Sequence, residues 1–105
     1  MPASSAQTIY GQRLRKARKA ADLTQPELGR CLDVDSATAA VRISRYENGQ
    51  HMPDGPTADA LAKALRLPQA WFHAETDAIA EAILLLTRMP KSKQTAAVAT
   101  LKSLA

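Results

Sequence analysis

Apolar residues recur along the chain mostly at the three- and four-residue spacing of an amphipathic α-helix, not at the two-residue alternation of a strand. Turn residues divide this pattern into seven short segments. The helices that the pattern predicts lie at about residues 7–21, 24–33, 35–48, 57–65, 68–73, 76–87 and 92–104. The fold class that follows is all-α, with five helices forming one domain and two more helices after it.

The starts and ends of the central helices are marked by residues that satisfy free backbone groups. Thr24 and Glu27 have the spacing of a capping box, in which each side chain accepts the backbone N–H of the other. The Asn-Gly pair at positions 48–49 is typical of a helix end. The expected N-caps are Thr24, Asp35 or Ser36, and Thr57.

Two of these helices, 24–33 and 35–48, have the features of a tightly packed pair. Gly29 supplies the small residue that a close crossing needs, and Asp33 stands at a turn that needs left-handed backbone angles. Ile43 and Tyr46, three residues apart, form the expected buried face of the second helix. The other expected core residues are Ile9, Leu14, Ala17, Ala21, Leu28, Leu32, Ala60, Leu61, Ala64, Leu65, Trp71 and Phe72.

Length and composition narrow the class of protein. The 105 residues suffice for one small domain, and 46% apolar with 23% charged residues is the balance of an ordinary globular protein. Cys31 is the one cysteine, which excludes an intrachain disulfide and a thiolate zinc cluster. No apolar run has the length of a membrane span and no export signal is present, so we expect a cytoplasmic protein with no membrane contact.

The formal net charge of +4 is unevenly distributed. A cluster of five basic residues without an acid favours a polyanionic partner, although a solvated helix face explains it equally well. The histidines are isolated, and the chain has no glycine-rich phosphate loop and no nucleophile–base arrangement. We therefore expect no enzyme, no cofactor and no metal site. The basic cluster consists of Arg13, Arg15, Lys16, Arg18 and Lys19.

The most specific motif is the segment T-Q-P-E-L at residues 24–28, followed by I-S-R-Y-E-N-G at residues 43–49. Further matching positions are Arg13-Leu14-Arg15, Pro53, Leu61-Ala62-Lys63-Ala64-Leu65 and Trp71-Phe72. Together these positions resemble the helix-turn-helix domain of Xre/Cro–phage-repressor type transcriptional regulators, over residues 7–73. The resemblance implies a five-helix, repressor-like DNA-binding domain.

The chain departs from this family pattern in two ways. Asp22 and Asp33 stand where glycine is usual, and Ile43 comes about four residues later than in familiar members. Residues 37–40 therefore have the character of an insertion close to one helical turn, about 6 Å long. An insertion of one turn keeps the same face inward, and it predicts a recognition helix lengthened at its N-terminal end.

The resemblance implies that helix 35–48 reads bases in the major groove, where arginine can hold guanine through two hydrogen bonds. It implies an internal ion pair between Arg18 and Glu47. It also implies that Gln25, at the start of the preceding helix, contacts the DNA backbone or a base. The residues that follow the recognition helix are implied to contact phosphates. The expected DNA-binding residues are Arg13, Gln25, Ser36, Thr38, Arg42, Ser44, Arg45, Asn48, Gln50 and His51.

The tail, residues 74–105, is too apolar for a solvated appendage, and it has two apolar stripes. Such stripes predict either dimerisation, which a two-fold DNA site requires, or a lid on the same subunit. Dimerisation is the favoured interpretation. The stripes are Ile79, Ala82, Ile83 and Leu86 in the first helix and Ala97, Val98, Leu101 and Leu104 in the second.

These observations predict a transcriptional regulator, taken as a repressor, that binds a two-fold-related operator in double-stranded DNA as a homodimer. The alternative is a protein-interaction module that retains the fold, such as an antirepressor or the partner of a toxin. Salt-dependent DNA binding separates the two hypotheses. It is expected only of a protein that neutralises DNA phosphates, because their counterions are released on binding.

Overall fold

A computed structural model describes residues 5–105, and every regular element in that range is helical. In chain order the elements are α1 (Ser5–Ala20), α2 (Gln25–Gly29), α3 (Ser36–Glu47), α4 (Gly55–Leu65), a 3₁₀ helix (Gln69–His73), α5 (Asp77–Arg88) and α6 (Lys91–Leu104). The predicted all-α class is confirmed, with the 3₁₀ helix as the fifth element of the first unit. None of the helices described is long and apolar enough to span a membrane.

Side-chain caps begin α2 and α3 where the sequence predicts. The Thr24 hydroxyl accepts the Glu27 N–H at 3.2 Å, and the Glu27 carboxylate accepts the Thr24 N–H at 2.9 Å, which completes the capping box. Of the two candidates for α3, Asp35 is the cap, because its carboxylate accepts the Thr38 N–H at 2.9 Å.

The N-cap of α4 differs from the prediction. Asp54 caps this helix, and its carboxylate accepts the backbone N–H of Thr57 at 2.8 Å. Gly55 and Pro56 form the first turn of the helix. Proline is tolerated there because a backbone N–H in the first turn has no helical acceptor, so the N–H that proline lacks is not needed. The prediction of Thr57 as the cap is wrong because the helix begins ahead of the apolar periodicity on which the prediction rested.

α2 ends at Gly29, short of the predicted end near Asp33. A β-carbon at Gly29 would lie 2.8 Å from the Cβ of Ala39, so α2 and α3 cross almost in backbone contact. The predicted need for a small residue at this crossing is confirmed. Since only the methyl group of Ala39 lies between the two helices, α3 is packed closely against α2.

Left-handed backbone angles occur, among the described non-terminal residues, at Asp22 (φ 61°), Gly49 (φ 73°) and Arg66 (φ 56°). Aspartate and glycine tolerate this region better than other residues do. Asp33 is absent from this group, so its predicted left-handed turn is wrong. α2 ends instead through successive i→i+3 hydrogen bonds over residues 27–32, a geometry that needs no left-handed residue.

The core forms where α1 packs against α3 and the 3₁₀ helix. The buried face of α1 is shifted from the predicted stripe, because Tyr10 is buried while Ile9 is half-buried and Ala21 is exposed. In α4 the buried alanine is Ala62, and Ala64 is exposed. The largest fully buried side chains are Tyr10, Leu14, Leu28, Ile43, Leu61 and Phe72.

The tail packs on the core at one end and extends away from it at the other. Ala74 and Ala80 are buried and Ile83 packs against the core, so the core includes residues beyond position 73. α6 packs on α5 and contains no buried residue. The radius of gyration is 15.4 Å, above the roughly 13 Å of a compact chain of similar length.

Candidate nucleic-acid interface

α3 has one face in the core and the other face free. Ala39, Ile43, Tyr46 and Glu47 are buried against the other helices. No acidic residue occurs between positions 36 and 46. The exposed side chains of α3, continued by the residue after its last turn, are Ser36, Ala37, Val41, Arg42, Arg45 and Asn48. The helix therefore presents a basic and polar face while its other face is fixed.

Glu47, the last residue of α3, is the centre of a hydrogen-bond network, and its side chain is 0% exposed. Arg18 donates its Nε–H to Oε2 at 2.6 Å and its Nη2–H to Oε1 at 3.0 Å. Gln25 Nε2 donates to Oε1 at 3.2 Å, and Arg15 Nε donates to the same oxygen at 3.4 Å. The predicted Arg18–Glu47 pair is confirmed, and the network joins α1, α2 and α3.

The pKa of Glu47 is lowered from its ordinary value of 4.5. Burial by itself raises the pKa of this carboxyl group, because it disfavours the charged form. Hydrogen bonds from Arg18 and Gln25, with the positive charge of Arg18, outweigh that effect. The carboxylate is therefore charged at neutral pH. Arg18 also donates to the carbonyl of Leu23 at 2.9 Å, so its guanidinium is engaged inside the protein.

Three of the expected DNA-binding residues come together at the C-terminal half of α3 and the turn after it. Arg42, Arg45 and His51 line a shallow cavity of about 300 Å³ that Tyr46, Met52 and Asp54 complete. The Thr57 hydrogen bonds and then the charge of Arg42 lower the pKa of Asp54, so a carboxylate lies near one edge of this basic group. In the described part of the chain, no three His, Cys, Asp or Glu side chains are grouped to hold a metal ion.

Other expected contact residues, on α3 and at its C-cap, have hydrogen-bond partners within the same segment. The Thr38 hydroxyl donates to the Asp35 carboxylate at 2.8 Å, so this half-buried side chain belongs to the N-cap. The Asn48 amide donates to the Ser44 hydroxyl at 3.4 Å. The expected contact residues with exposed side chains are Ser36, Arg42, Arg45, Asn48, Gln50 and His51.

Gln25 is half-buried at the start of α2, and one of its amide hydrogens is directed to Glu47. This contact gives Gln25 a role in holding α2 against α3. A contact between Gln25 and DNA stays a prediction, since the amide has a second donor and an oxygen.

Arg13 lies apart from the other expected contact residues. Its side chain is 9% exposed, donates to the Ala74 carbonyl at 3.1 Å and pairs with Asp77 at 2.8 Å. The guanidinium carbon lies 5.5 Å from the centre of the Trp71 ring. Nε and Nη1 of Arg13 and its flat face are thus engaged at the junction of α1 with the tail, and a phosphate contact by Arg13 stays a prediction.

Two exposed α3 residues, Ala37 and Val41, are absent from the set expected from the sequence. Val41 lies one turn and Ala37 two turns before Arg45, so the three residues share one ridge of the helix. The only sequence signal that marks them is this four-residue spacing from an arginine. Apolar residues on a helix are ordinarily assigned to the core, and that assignment is wrong for Val41, which is 47% exposed.

Comparisons with known proteins agree with this geometry. A family model described as a helix-turn-helix domain matches residues 9–72. The crystal structure of the transcriptional regulator BswR is similar to the chain, with a TM-score of 0.74 and 29% identity, covering 89% of this chain and 92% of that chain. Residues 1–73 alone cannot supply that coverage, so the similarity continues into the C-terminal helices. No curated protein sequence matches the chain.

Proposed function

Because the chain belongs to the helix-turn-helix domain family, we propose that it is a sequence-specific, DNA-binding transcriptional regulator that acts as a repressor. The observation that carries the proposal is the division of α3 into a fixed face and a basic, exposed face. A helix of this kind can lie in the major groove of B-DNA, which is wide enough to admit it. The similarity to a structure titled a transcriptional regulator supports the regulatory role.

The proposed type is the Xre/Cro–phage-repressor type with one additional turn in the recognition helix. Ala39 and Ile43 are four residues apart and both are buried, so the first turn of α3 continues the inward face of the second. Ala39 also makes the close approach to Gly29. These contacts support a recognition helix that an extra N-terminal turn lengthens without rotating it.

The proposed base-reading residue is Arg45, whereas the charge of Arg42 interacts with Asp54. Arg45→Ala is expected to cost about 1–3 kcal/mol of binding free energy on the cognate duplex, because a bidentate arginine–guanine contact is lost. On a scrambled duplex the loss of binding free energy should be smaller. Binding there depends on phosphate contacts, which carry no sequence information, and not on a base contact by Arg45. Titrations of both duplexes at one fixed salt concentration measure the difference.

The matched control is Arg88→Ala, which removes the same charge from an exposed residue of α5. It should weaken cognate and scrambled binding to the same small extent, through net charge alone. Equal losses on both duplexes for Arg45→Ala would remove Arg45 from base reading. A wild-type chain that binds no duplex in a salt-dependent manner would contradict the proposed function and favour a protein-interaction module, such as an antirepressor or toxin partner.

The proposed oligomer is a homodimer formed through the tail, since a two-fold operator matches a two-fold protein. Support comes from the exposure of the tail's large apolar side chains, which a solvated monomer would leave in water. Of the predicted first stripe, Ile83 packs against the core of its own subunit, whereas Ile79 is exposed and available to a second subunit. The large exposed apolar residues of the tail are Ile79, Leu85, Val98, Leu101 and Leu104.

Leu101→Lys is expected to convert the dimer to a monomer at micromolar concentrations and to weaken cognate binding, because each half-site would then be bound separately. Size-exclusion chromatography with light scattering measures the mass. Thr100→Lys adds the same charge at the neighbouring exposed residue without removing an apolar side chain, and it should stay dimeric. A monomeric wild-type chain, or a dimeric Leu101→Lys variant, would contradict dimerisation through this surface.

A further inference from the structure

Val41 lies at the middle of the free face of α3. In an α-helix, residues two positions away point to nearly the opposite side. The two such neighbours of Val41 are Ala39 and Ile43, which are 1% and 0% exposed, whereas Val41 itself is 47% exposed. The buried anchors of α3 thus direct Val41 straight outward.

This valine has no evident part in stabilising the fold. It is absent from the hydrophobic core and from the half-buried residues that pack on the core. Valine is also a weaker helix former than the alanines of the same helix, because its branched side chain loses rotamer freedom. A role for Val41 therefore has to be sought in what α3 contacts outside the chain.

The surroundings of Val41 favour nucleic acid over protein as that contact. Arg45 lies one turn after it and Arg42 next to it, both exposed, and α3 has no exposed acid between positions 36 and 46. A large apolar side chain in a basic face is complementary to a polyanion that offers a small apolar group. In the major groove of DNA that group is the C5 methyl of thymine.

Resting on the proposed function, we infer that Val41 contacts the methyl group of a thymine and selects a T·A pair at one position of each half-site. Ala37, one turn earlier on the same ridge, has a side chain small enough to let the helix backbone approach the base edges. The restricted χ1 angle of valine holds its two methyl groups in place before binding, so little side-chain entropy is lost.

The test is a double-mutant cycle that combines Val41→Ala with the removal of a single methyl group from the DNA. Wild-type protein first selects duplexes from a random-sequence library. Each thymine of one half-site is then replaced in turn by deoxyuridine, which lacks only the C5 methyl. At one position we expect wild-type affinity to fall about fourfold, the equivalent of ~0.8 kcal/mol for one buried carbon group. Val41→Ala should lose affinity for the thymine duplex and be insensitive to deoxyuridine there.

Val98→Ala is the matched control, since it is the same substitution at an exposed valine of α6. It should keep the fourfold methyl effect, whatever it does to total affinity. Sequence-specific binding in which Val41→Ala and deoxyuridine act independently at every thymine would overturn this inference and leave the proposed function standing. A selected site without a thymine in the half-site would do the same. The absence of salt-dependent duplex binding would overturn both.

Discussion

Arg18→Met is expected to lower the free energy of unfolding by about 3 kcal/mol or more, because it leaves a buried carboxylate without its main partner. The Glu47 side chain is 0% exposed and would retain only Gln25 and the longer contact to Arg15. Glu47→Leu should cost less, since Arg18 keeps the Leu23 carbonyl and can turn toward water. The double variant should cost much less than the sum, because no unpaired charge is then buried.

Urea unfolding followed by far-ultraviolet circular dichroism measures the four free energies of this cycle. An uncoupled result, in which the two single losses add, would mean that the Arg18–Glu47 contact does not hold α3 to α1. Arg15→Met is the matched control. Its side chain is 49% exposed and its distance to Glu47 is 3.4 Å, so its effect should be small.

The same carboxylate predicts a pH dependence. Because the folded protein lowers the pKa of Glu47 below the ordinary value of 4.5, the folded state binds its proton more weakly than the unfolded state does. The stability from Glu47 is therefore fully present above about pH 4.5 and is lost as the pH falls through the folded value. In the Arg18→Met, Glu47→Leu double variant this part of the acid sensitivity should be missing.

Gly11→Ala is expected to destabilise the protein by roughly 3 kcal/mol, at the upper end of the overpacking range. A β-carbon at Gly11 would lie 2.5 Å from the carbonyl oxygen of Tyr46 and 2.7 Å from that of Glu47. Both contacts are backbone atoms at the end of α3, so relief requires α3 to move away from α1. The gain of about 1 kcal/mol in helix propensity on replacing glycine by alanine does not offset this clash.

Gly55→Ala is the matched control, because outside the neighbouring residues and the backbone of α4 no atom lies within 4 Å of a β-carbon built there. It should change the free energy of unfolding by about 1 kcal/mol or less, since the restricted unfolded chain favours alanine while Pro56 disfavours a β-carbon on the helical residue before it. Thermal unfolding compares the variants. A Gly11→Ala protein as stable as Gly55→Ala would contradict the close crossing of α1 and α3. Because displacement of α3 also disturbs the Glu47 network, Gly11→Ala should weaken DNA binding as well.

Local features of this protein are legible in its sequence because their interactions span four residues or fewer. The capping box of Thr24 and Glu27 and the end of α3 at Asn48-Gly49 were predicted from adjacent positions and are present. Adjacent positions do not decide between Asp54 and Thr57 as the cap of α4. Both residues are good caps, and the start of the helix depends on how Gly55 and Pro56 enter it.

The buried face of α3 was also predictable, since Ile43 and Tyr46 have helical spacing and belong to a specific motif. Which face stays free follows from the same periodicity. The sequence alone thus determined the all-α class, the helix that carries the candidate interface, and the ion pair that the family resemblance implies.

Tertiary structure alone decided which charged and apolar side chains on these helices are available to a partner. Arg13 and Arg18 are close in a basic cluster, yet one is enclosed by the tail and the other by Glu47. Gly11 differs from an ordinary helical glycine only because carbonyl groups of α3 lie close to it. Val41 differs from a core valine only because its side chain points away from the core. The periodicity of a helix fixes relative directions on its surface, but the neighbour that covers each direction is distant in sequence and is set by packing.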